Sequence, residues 1–266
     1  QLAFEVIRRY NNTLQKVKAV SIIPASTEFS YDTEIVQRRL KAGQTESENA
    51  HVSAERSDWS VAVDQLQETC SALEMASLVV AWFGTDLRCG ECEIKPGVDN
   101  SDKVTPGHTW RVSGTTRGNA HEVSRVGGVP AYGGTPSDAS VKRAIADLKA
   151  RGLKVMFYPF VLMDIPQGNS LVDPYGGAVQ GSYPWRGRIT ASIAPGRAGT
   201  PDKTAAVTIE LADFVGTAMP GQFVSAGDSV NFTGTAQWSY RRMILHYAKL
   251  CAAAGGVDAF LIGSEL

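Results

Sequence analysis

The apolar positions of the chain fall into three units, each with a helical stripe followed by a short apolar run. In the first unit, Ser57 is a favoured N-cap residue, and apolar residues from Trp59 to Leu73 recur at helical spacing. Residues 77–83 follow as a nearly unbroken apolar run that ends at Gly84. Such a run is typical of a parallel strand that is covered on both faces.

The second and third units repeat this order. The second predicts a helix with Thr135 as its cap and Gly152 at its end, followed by a strand over 154–162. Pro159 has no N–H to donate, so the ladder of that strand is expected to end or bulge there. The remaining elements are a helix over 240–254, a strand over 257–262, and an earlier strand over 18–23.

This alternation predicts an α/β fold with a parallel sheet and right-handed crossovers. The best match is a parallel (β/α)8 TIM-barrel type, of which residues 1–266 hold about the first four strands and form the N-terminal part of one domain in a longer chain. Two long loops, about 85–134 and 163–237, follow the carboxyl ends of strands. The second loop is expected to hold a helix near 202–214, although the run 207–209 is also compatible with a strand.

Composition and charge exclude several function classes. The 266 residues are 43% hydrophobic and 20% charged, as in an ordinary globular protein, and the formal net charge is −1. There is no basic field to attract nucleic acid, and no apolar run approaches the roughly 20 residues of a transmembrane segment. The phosphate-binding motif GxxxxGK[ST], a dinucleotide GxGxxG motif after a strand, and the Gly-x-Ser-x-Gly elbow of esterases do not occur, so no cofactor is expected.

Glu265 is the strongest candidate for a catalytic residue. It directly follows the fourth predicted strand, and the carboxyl ends of barrel strands are where active sites lie. Glycosidases place a carboxyl group there as the proton donor to the leaving oxygen. The alternative is a structural carboxylate that pairs with an arginine near the barrel mouth.

Four unusual strings carry a family resemblance. They are IIPASTEFSYDTE at 22–34, WFGTDLRCGECEIKPGV at 82–98, YPWRGRI at 183–189 and GSEL at 263–266. In these strings the chain resembles the glycoside-hydrolase-like TIM-barrel domain of the large multidomain baseplate, or host-specificity, protein of gene transfer agents and related tailed phages.

The resemblance implies a role in the tail of a virion-like particle that is assembled in the cytoplasm and acts at the host cell surface. The implied partners are other tail and baseplate proteins and host cell-surface polysaccharide. Glu265 would be the general acid/base of a retaining, two-carboxylate hydrolase whose nucleophile lies beyond the chain, so these residues alone are expected to be inactive. Ser264 stands where related glycosidases carry Asn, which favours the alternative of an inactive structural or receptor-binding module.

Further residues are candidates for substrate binding, each with a structural alternative. Glu28, after the first strand, is expected either to bind substrate or to form a salt bridge. Trp82 and Trp185 are expected either to stack on a sugar ring or to pack in the core.

The other candidates follow later strands or lie in loops. Asp86 and Arg88, after the second strand, are expected to line the rim or to pair with each other. Arg186, in the second long loop, is expected to clamp an anion or to be solvated, and Ser264 is the last candidate for substrate binding.

The pair Cys89 and Cys92 does not predict a metal site. A structural zinc site usually needs a second pair of ligands, and His108 and His121 are separated by more than the usual three to five residues. The two cysteines are expected to be free thiols, with a local disulfide as the alternative outside a reducing compartment.

Overall fold

Four parallel strands form the centre of the fold. The computed structural model describes residues 13–24 and 27–265. The strands are β1 (Ala19–Ile22), β2 (Met75–Gly84), β3 (Lys154–Met163) and β4 (Ala259–Phe260), and each pairs with the next in chain order. This is the order of successive strands in a TIM-type barrel, so the predicted α/β fold class is confirmed.

The crossover helices carry the caps and stripes that their sequences encode. The helices are α1 (Asp58–Thr69), α2 (Asp138–Ala150), α3 (Ala205–Val215) and α4 (Tyr240–Ala253). Helices α1, α2 and α4 each precede the next strand of the sheet, whereas α3 lies within the loop between β3 and α4. The second long loop therefore contains the predicted helix, and residues 207–209 do not form the alternative strand.

The cap of α2 differs from the predicted one. The side chain of Ser137 accepts the bond from the Ser140 N–H, so Ser137 and not Thr135 is the N-cap. Thr135 instead donates its hydroxyl to the Ala81 carbonyl, at 2.7 Å, and accepts from the Gly97 N–H. Because its side chain is tied to β2, it fastens the start of the helix to the sheet. The predicted cap of α1, Ser57, is confirmed.

Pro159 interrupts the ladder on one side of β3 only. The pairing with β2 runs from Lys154 to Met163 without a shift, whereas the pairing with β4 covers only Met156 and Phe157. The Phe157 carbonyl accepts from Leu261 on the β4 side, and backbone groups alternate in direction along a strand, so Pro159 also faces that side. The missing N–H therefore costs no bond to β2.

The two faces of β3 have different environments. Val155, Phe157 and Val161 are buried beneath the helices. Tyr158, Phe160 and Leu162 alternate with them and line a cavity of about 550 Å³ on the concave face of the sheet. Val79, Ala81 and Phe83 of β2 form the neighbouring wall.

The loops contain short elements outside this sheet. The antiparallel hairpins pair Gln37–Lys41 with Gln44–Ser47, Arg111–Val112 with Thr115–Thr116, Arg125–Val126 with Val129–Pro130, and Phe223–Ala226 with Ser229–Phe232. Ile94–Lys95 pairs with the end of β2, and Gly97–Val98 pairs in parallel with His121–Glu122. The 3-10 turns are Leu14–Lys16, Cys89–Glu91, Arg117–Asn119, Arg186–Arg188 and Pro220–Gln222. Within the described residues, no helix has the length and apolar character needed to span a membrane.

Candidate functional site

Glu265 lies beside Trp185 and Arg186 at the carboxyl edge of the sheet. Its Oε2 accepts from the indole Nε1 of Trp185 at 3.1 Å and lies 2.7 Å from Nη2 of Arg186. The Nε of Arg186 also donates to the backbone carbonyl of Ser264, at 3.2 Å. The long loop after β3 and the segment after β4 thus bring together four of the predicted site residues.

Arg186 is the fixed part of this group. The residue is buried, its guanidinium lies 3.7 Å from the centre of the Phe160 ring, and Nη2 donates to the Tyr158 hydroxyl at 3.3 Å. Stacking on an aromatic face and several directed bonds hold a planar guanidinium in one orientation. By contrast, the side chain of Glu265 is 54% exposed and Trp185 is 57% exposed, so both are accessible to a ligand.

Two residues at this edge have a left-handed backbone. Glu265 has φ = 60° and Tyr183 has φ = 48°. This region is unfavourable for residues with a Cβ, and such strain is concentrated at ligand-binding and catalytic sites. The strained conformation of Tyr183 is held in part by its N–H, which donates to the Ile165 carbonyl just after β3.

Trp82 is a core residue and not a sugar platform. It is fully buried, and its indole Nε1 donates to the Tyr247 hydroxyl at 2.8 Å. Its ring also packs edge-on against Trp238. The side chain points to the helix layer because it alternates with Ala81 and Phe83, which line the cavity on the opposite face.

Glu28 belongs to a buried ion network. Its side chain is fully buried; Oε1 lies 2.6 Å from Nη1 of Arg117 and Oε2 lies 3.5 Å from Nζ of Lys103. The same ammonium group lies 2.7 Å from Glu48 and 2.6 Å from Asp99. Glu28 therefore forms a salt bridge, the predicted alternative to substrate binding, and its side chain is not accessible to substrate.

The three acids of this network have the spacing of a metal site but enclose a lysine. Oxygen atoms of Glu28, Glu48 and Asp99 all lie within 4.8 Å of one another. The ammonium of Lys103 contacts each of them, so it already supplies the positive charge that a bound cation would supply. Burial raises the pKa of Glu28, although the charge of Arg117 opposes this shift.

Asp86 and Arg88 form a local pair that anchors the two long loops to each other. Nη2 of Arg88 lies 2.7 Å from the Asp86 carboxylate, and Gln180 from the second loop donates to the same carboxylate at 2.7 Å. Burial acts to raise the pKa of Asp86, but the bonds from Arg88 and Gln180 outweigh it and lower that pKa. Asp86 and Arg88 therefore pair with each other, which is the predicted alternative to lining an open rim.

A second polar cluster, centred on Asp164, has no counterpart in the sequence predictions. Asp164 directly follows β3, and its carboxylate lies 2.6 Å from Nε2 of His121. Ser124 donates to the same carboxylate through its N–H, at 3.0 Å, and through its hydroxyl. The Tyr183 hydroxyl lies 2.9 Å from Oγ of Ser124. The position of an acid immediately after an apolar strand was the one signal in the sequence that pointed to this cluster.

The cysteines after β2 are both buried free thiols. Burial raises the pKa of the Cys92 thiol to about 11, and burial with the nearby Glu210 carboxylate raises that of Cys89. Both groups are therefore protonated near neutral pH, which makes them weak nucleophiles and poor metal ligands.

One part of this chain is similar to a known family. Residues 238–266 match the model of the GTA TIM-barrel-like domain, where GTA denotes gene transfer agent. The matched segment covers α4, β4 and Glu265, so it contains the carboxylate of the candidate site. No curated protein matches the chain.

Proposed function

We propose that this chain is part of a glycoside-hydrolase-like barrel in the tail of a gene transfer agent or phage-like particle, where it acts on host envelope polysaccharide. The observation that carries the proposal is the exposed pair of Trp185 and Glu265 above the buried Arg186. An exposed indole face beside a carboxylate suits a sugar ring, which has an apolar face and hydroxyl groups at its edge. The segment similar to the gene transfer agent family contains this carboxylate.

The proposed chemistry assigns a role to each residue of the group. Trp185 stacks on the sugar, Glu265 serves as the general acid/base, and Arg186 holds Glu265 in place. A two-carboxylate mechanism needs a second carboxyl group about 5 to 10 Å from the first, depending on whether the enzyme retains or inverts. We place that nucleophile on a later strand of the same barrel. We also propose that the barrel assembles with other tail and baseplate proteins.

The extent of the domain is part of this proposal. Among the described residues, β1 and β4 each have a partner strand on one side only, and the concave face between them carries the apolar cavity. Further strands that close the barrel would cover both edges and complete the carboxyl rim. We therefore propose that residues 1–266 are the N-terminal part of one barrel domain in a larger chain.

A second function, recognition without hydrolysis, is favoured by the bonds of Glu265. Its Oε2 accepts from both Trp185 and Arg186, so only Oε1 is left to carry the proton that a general acid must donate. Ser264 also contributes only its backbone carbonyl to the group that the structure shows. In this case the barrel binds polysaccharide as a structural or receptor-binding module of the tail.

Trp185→Ala is expected to weaken binding of host envelope polysaccharide by about tenfold or more, because the variant loses the exposed ring face. Trp185→Phe keeps a flat ring but loses the donor to Glu265, so it is expected to retain most of the affinity. Binding is measured with the full-length protein by sedimentation with insoluble envelope polysaccharide and by calorimetry with soluble fragments.

The control is Val224→Ala, which removes an exposed apolar side chain from the hairpin strand Phe223–Ala226, outside this group. It should leave polysaccharide binding unchanged. Equal affinity of the wild-type protein and Trp185→Ala would show that this edge of the sheet does not bind the polysaccharide through Trp185.

A further inference from the structure

We infer that the cluster of His121, Ser124, Asp164 and Tyr183 is a second subsite that binds the hydroxyl groups of a neutral sugar. The inference deepens the proposed function and rests on it. The cluster lies at the carboxyl end of β3. The loop that contains Tyr183 continues directly to Trp185 and Arg186, so the two groups share one edge of the sheet.

The direction of every hydrogen bond in the cluster follows from the charge of Asp164. Burial acts to raise the pKa of this carboxyl group, but bonds from His121 and Ser124 outweigh it and lower the pKa. Asp164 is therefore ionised near neutral pH and only accepts. His121 donates to it through Nε2–H, and Ser124 donates through both its N–H and its hydroxyl.

These directions define what the cluster offers to a ligand. Because Nε2 faces Asp164, Nδ1 is the ring nitrogen of His121 left for a ligand, and a sugar hydroxyl can bond to it as donor or as acceptor. Among the described residues Nδ1 has no hydrogen-bond partner, and the side chain is 21% exposed. Since the Ser124 hydroxyl proton goes to Asp164, Tyr183 donates to Ser124, and its own oxygen is left as an acceptor.

Two polar groups of one cluster, Nδ1 of His121 and the Tyr183 hydroxyl oxygen, suit a ligand with several hydroxyl groups. Tyr132 adds an apolar surface beside them, because its ring packs edge-on against Tyr183 and also lines the cavity on the concave face. Phe83 continues this surface and packs against both Tyr132 and His121. Apolar rings beside hydroxyl acceptors match a sugar with its C–H face on the rings.

The charges favour neutral over acidic sugars. Asp164 is a buried carboxylate, and the exposed acid of the first group, Glu265, pairs with Arg186. Among the described residues, no lysine or arginine forms a salt bridge to Asp164, so this subsite offers no ammonium or guanidinium group to bind a uronic acid or phosphate. A neutral sugar needs no such partner.

The test compares His121→Gln with the wild-type protein in full-length form. The probe is the neutral oligosaccharide fraction that partial acid hydrolysis releases from host envelope polysaccharide, separated from the acidic fraction by anion exchange. Glutamine retains a donor for Asp164 but removes the ring nitrogen Nδ1, and binding is expected to weaken about tenfold. In the wild-type protein, the ¹⁵N resonance of His121 Nδ1 is expected to shift when the neutral fraction is added.

His51→Gln is the matched control, because His51 also pairs with an aspartate, Asp58, at 2.6 Å, but on the exposed start of α1. It should bind like the wild type. The subsite is wrong if the neutral fraction binds but the Nδ1 resonance stays fixed, or if His121→Gln binds as tightly as the wild type; the proposed function would then stand. Tighter binding of the acidic fraction would also overturn it. If neither polysaccharide nor fragments bind the wild type, the proposed function fails and the subsite with it.

Discussion

Replacing Trp82 by alanine is expected to lower the free energy of unfolding by about 3 to 5 kcal/mol, the usual cost of removing a large buried aromatic side chain. The indole is fully buried and is surrounded by Trp238, His246 and Tyr247. Its Nε1 also donates to the Tyr247 hydroxyl, which would lose a buried partner. Urea unfolding followed by circular dichroism measures this difference.

Trp185→Ala provides the matched comparison on stability. The same change at an exposed tryptophan is expected to alter the free energy of unfolding by no more than about 0.5 kcal/mol. Trp82→Phe keeps most of the buried volume and should fall between the two variants. A small loss for Trp82→Ala, equal to that of Trp185→Ala, would contradict the assignment of Trp82 to the core.

Arg117→Met is expected to destabilise the protein by a similar amount, about 3 to 5 kcal/mol, because it leaves a buried carboxylate without its nearest counter-charge. Glu28 is fully buried and lies 2.6 Å from the guanidinium, whereas its other cation, Lys103, lies 3.5 Å away. Lys103 must also neutralise Glu48 and Asp99. The measurement is again the free energy of unfolding in urea.

The destabilisation should depend on pH in a defined direction. Burial already raises the pKa of Glu28, and loss of the opposing charge of Arg117 would raise it further. A carboxyl group with a raised pKa in the folded state stabilises the fold at low pH and loses that contribution as the pH rises through its folded value. Arg117→Met is therefore expected to lose more stability than the wild type between about pH 4 and neutral pH.

The double variant Arg117→Met/Glu28→Gln separates charge from packing. With a neutral amide at position 28, loss of Arg117 should cost less, and the added pH dependence should disappear. Arg56→Met is the surface control, because Arg56 pairs with the part-exposed Asp64 outside this network, and its loss should cost no more than about 1 kcal/mol. If Arg117→Met lowered the free energy of unfolding equally in the wild type and in the Glu28→Gln background, Glu28 and Arg117 would not be coupled as the network requires.

The periodic elements of the fold follow from the sequence, and the details that depend on distant contacts do not. The stripes of α1, α2 and α4 and the apolar runs of β2 and β3 predict the parallel sheet because each pattern is local. Thr135 has the chemistry of a cap, but β2 engages its hydroxyl, and Ser137 caps α2 instead. Which side of β3 Pro159 faces depends on strand pairing, which no local pattern encodes.

The candidate site shows the same division. Trp185, Arg186, Ser264 and Glu265 are brought together, as expected if strand ends and loops meet at one edge. Trp82 and Trp185 have identical chemistry, and only the direction of each side chain separates a core residue from an exposed one. The Asp164 cluster joins residues from both long loops to the end of β3, so sequence spacing gave no sign of His121 as its partner.

Release of reducing sugar measures whether Glu265 marks a site that processes polysaccharide. The full-length protein and Glu265→Gln, a nearly isosteric change that removes only the acid, are incubated with host envelope polysaccharide and with peptidoglycan. The wild type is expected to release reducing sugar, and the variant is expected to do so at a rate at least about 100-fold lower, because it lacks the general acid. No release by either protein, or equal release by both, would show that Glu265 is not the acid of such a site.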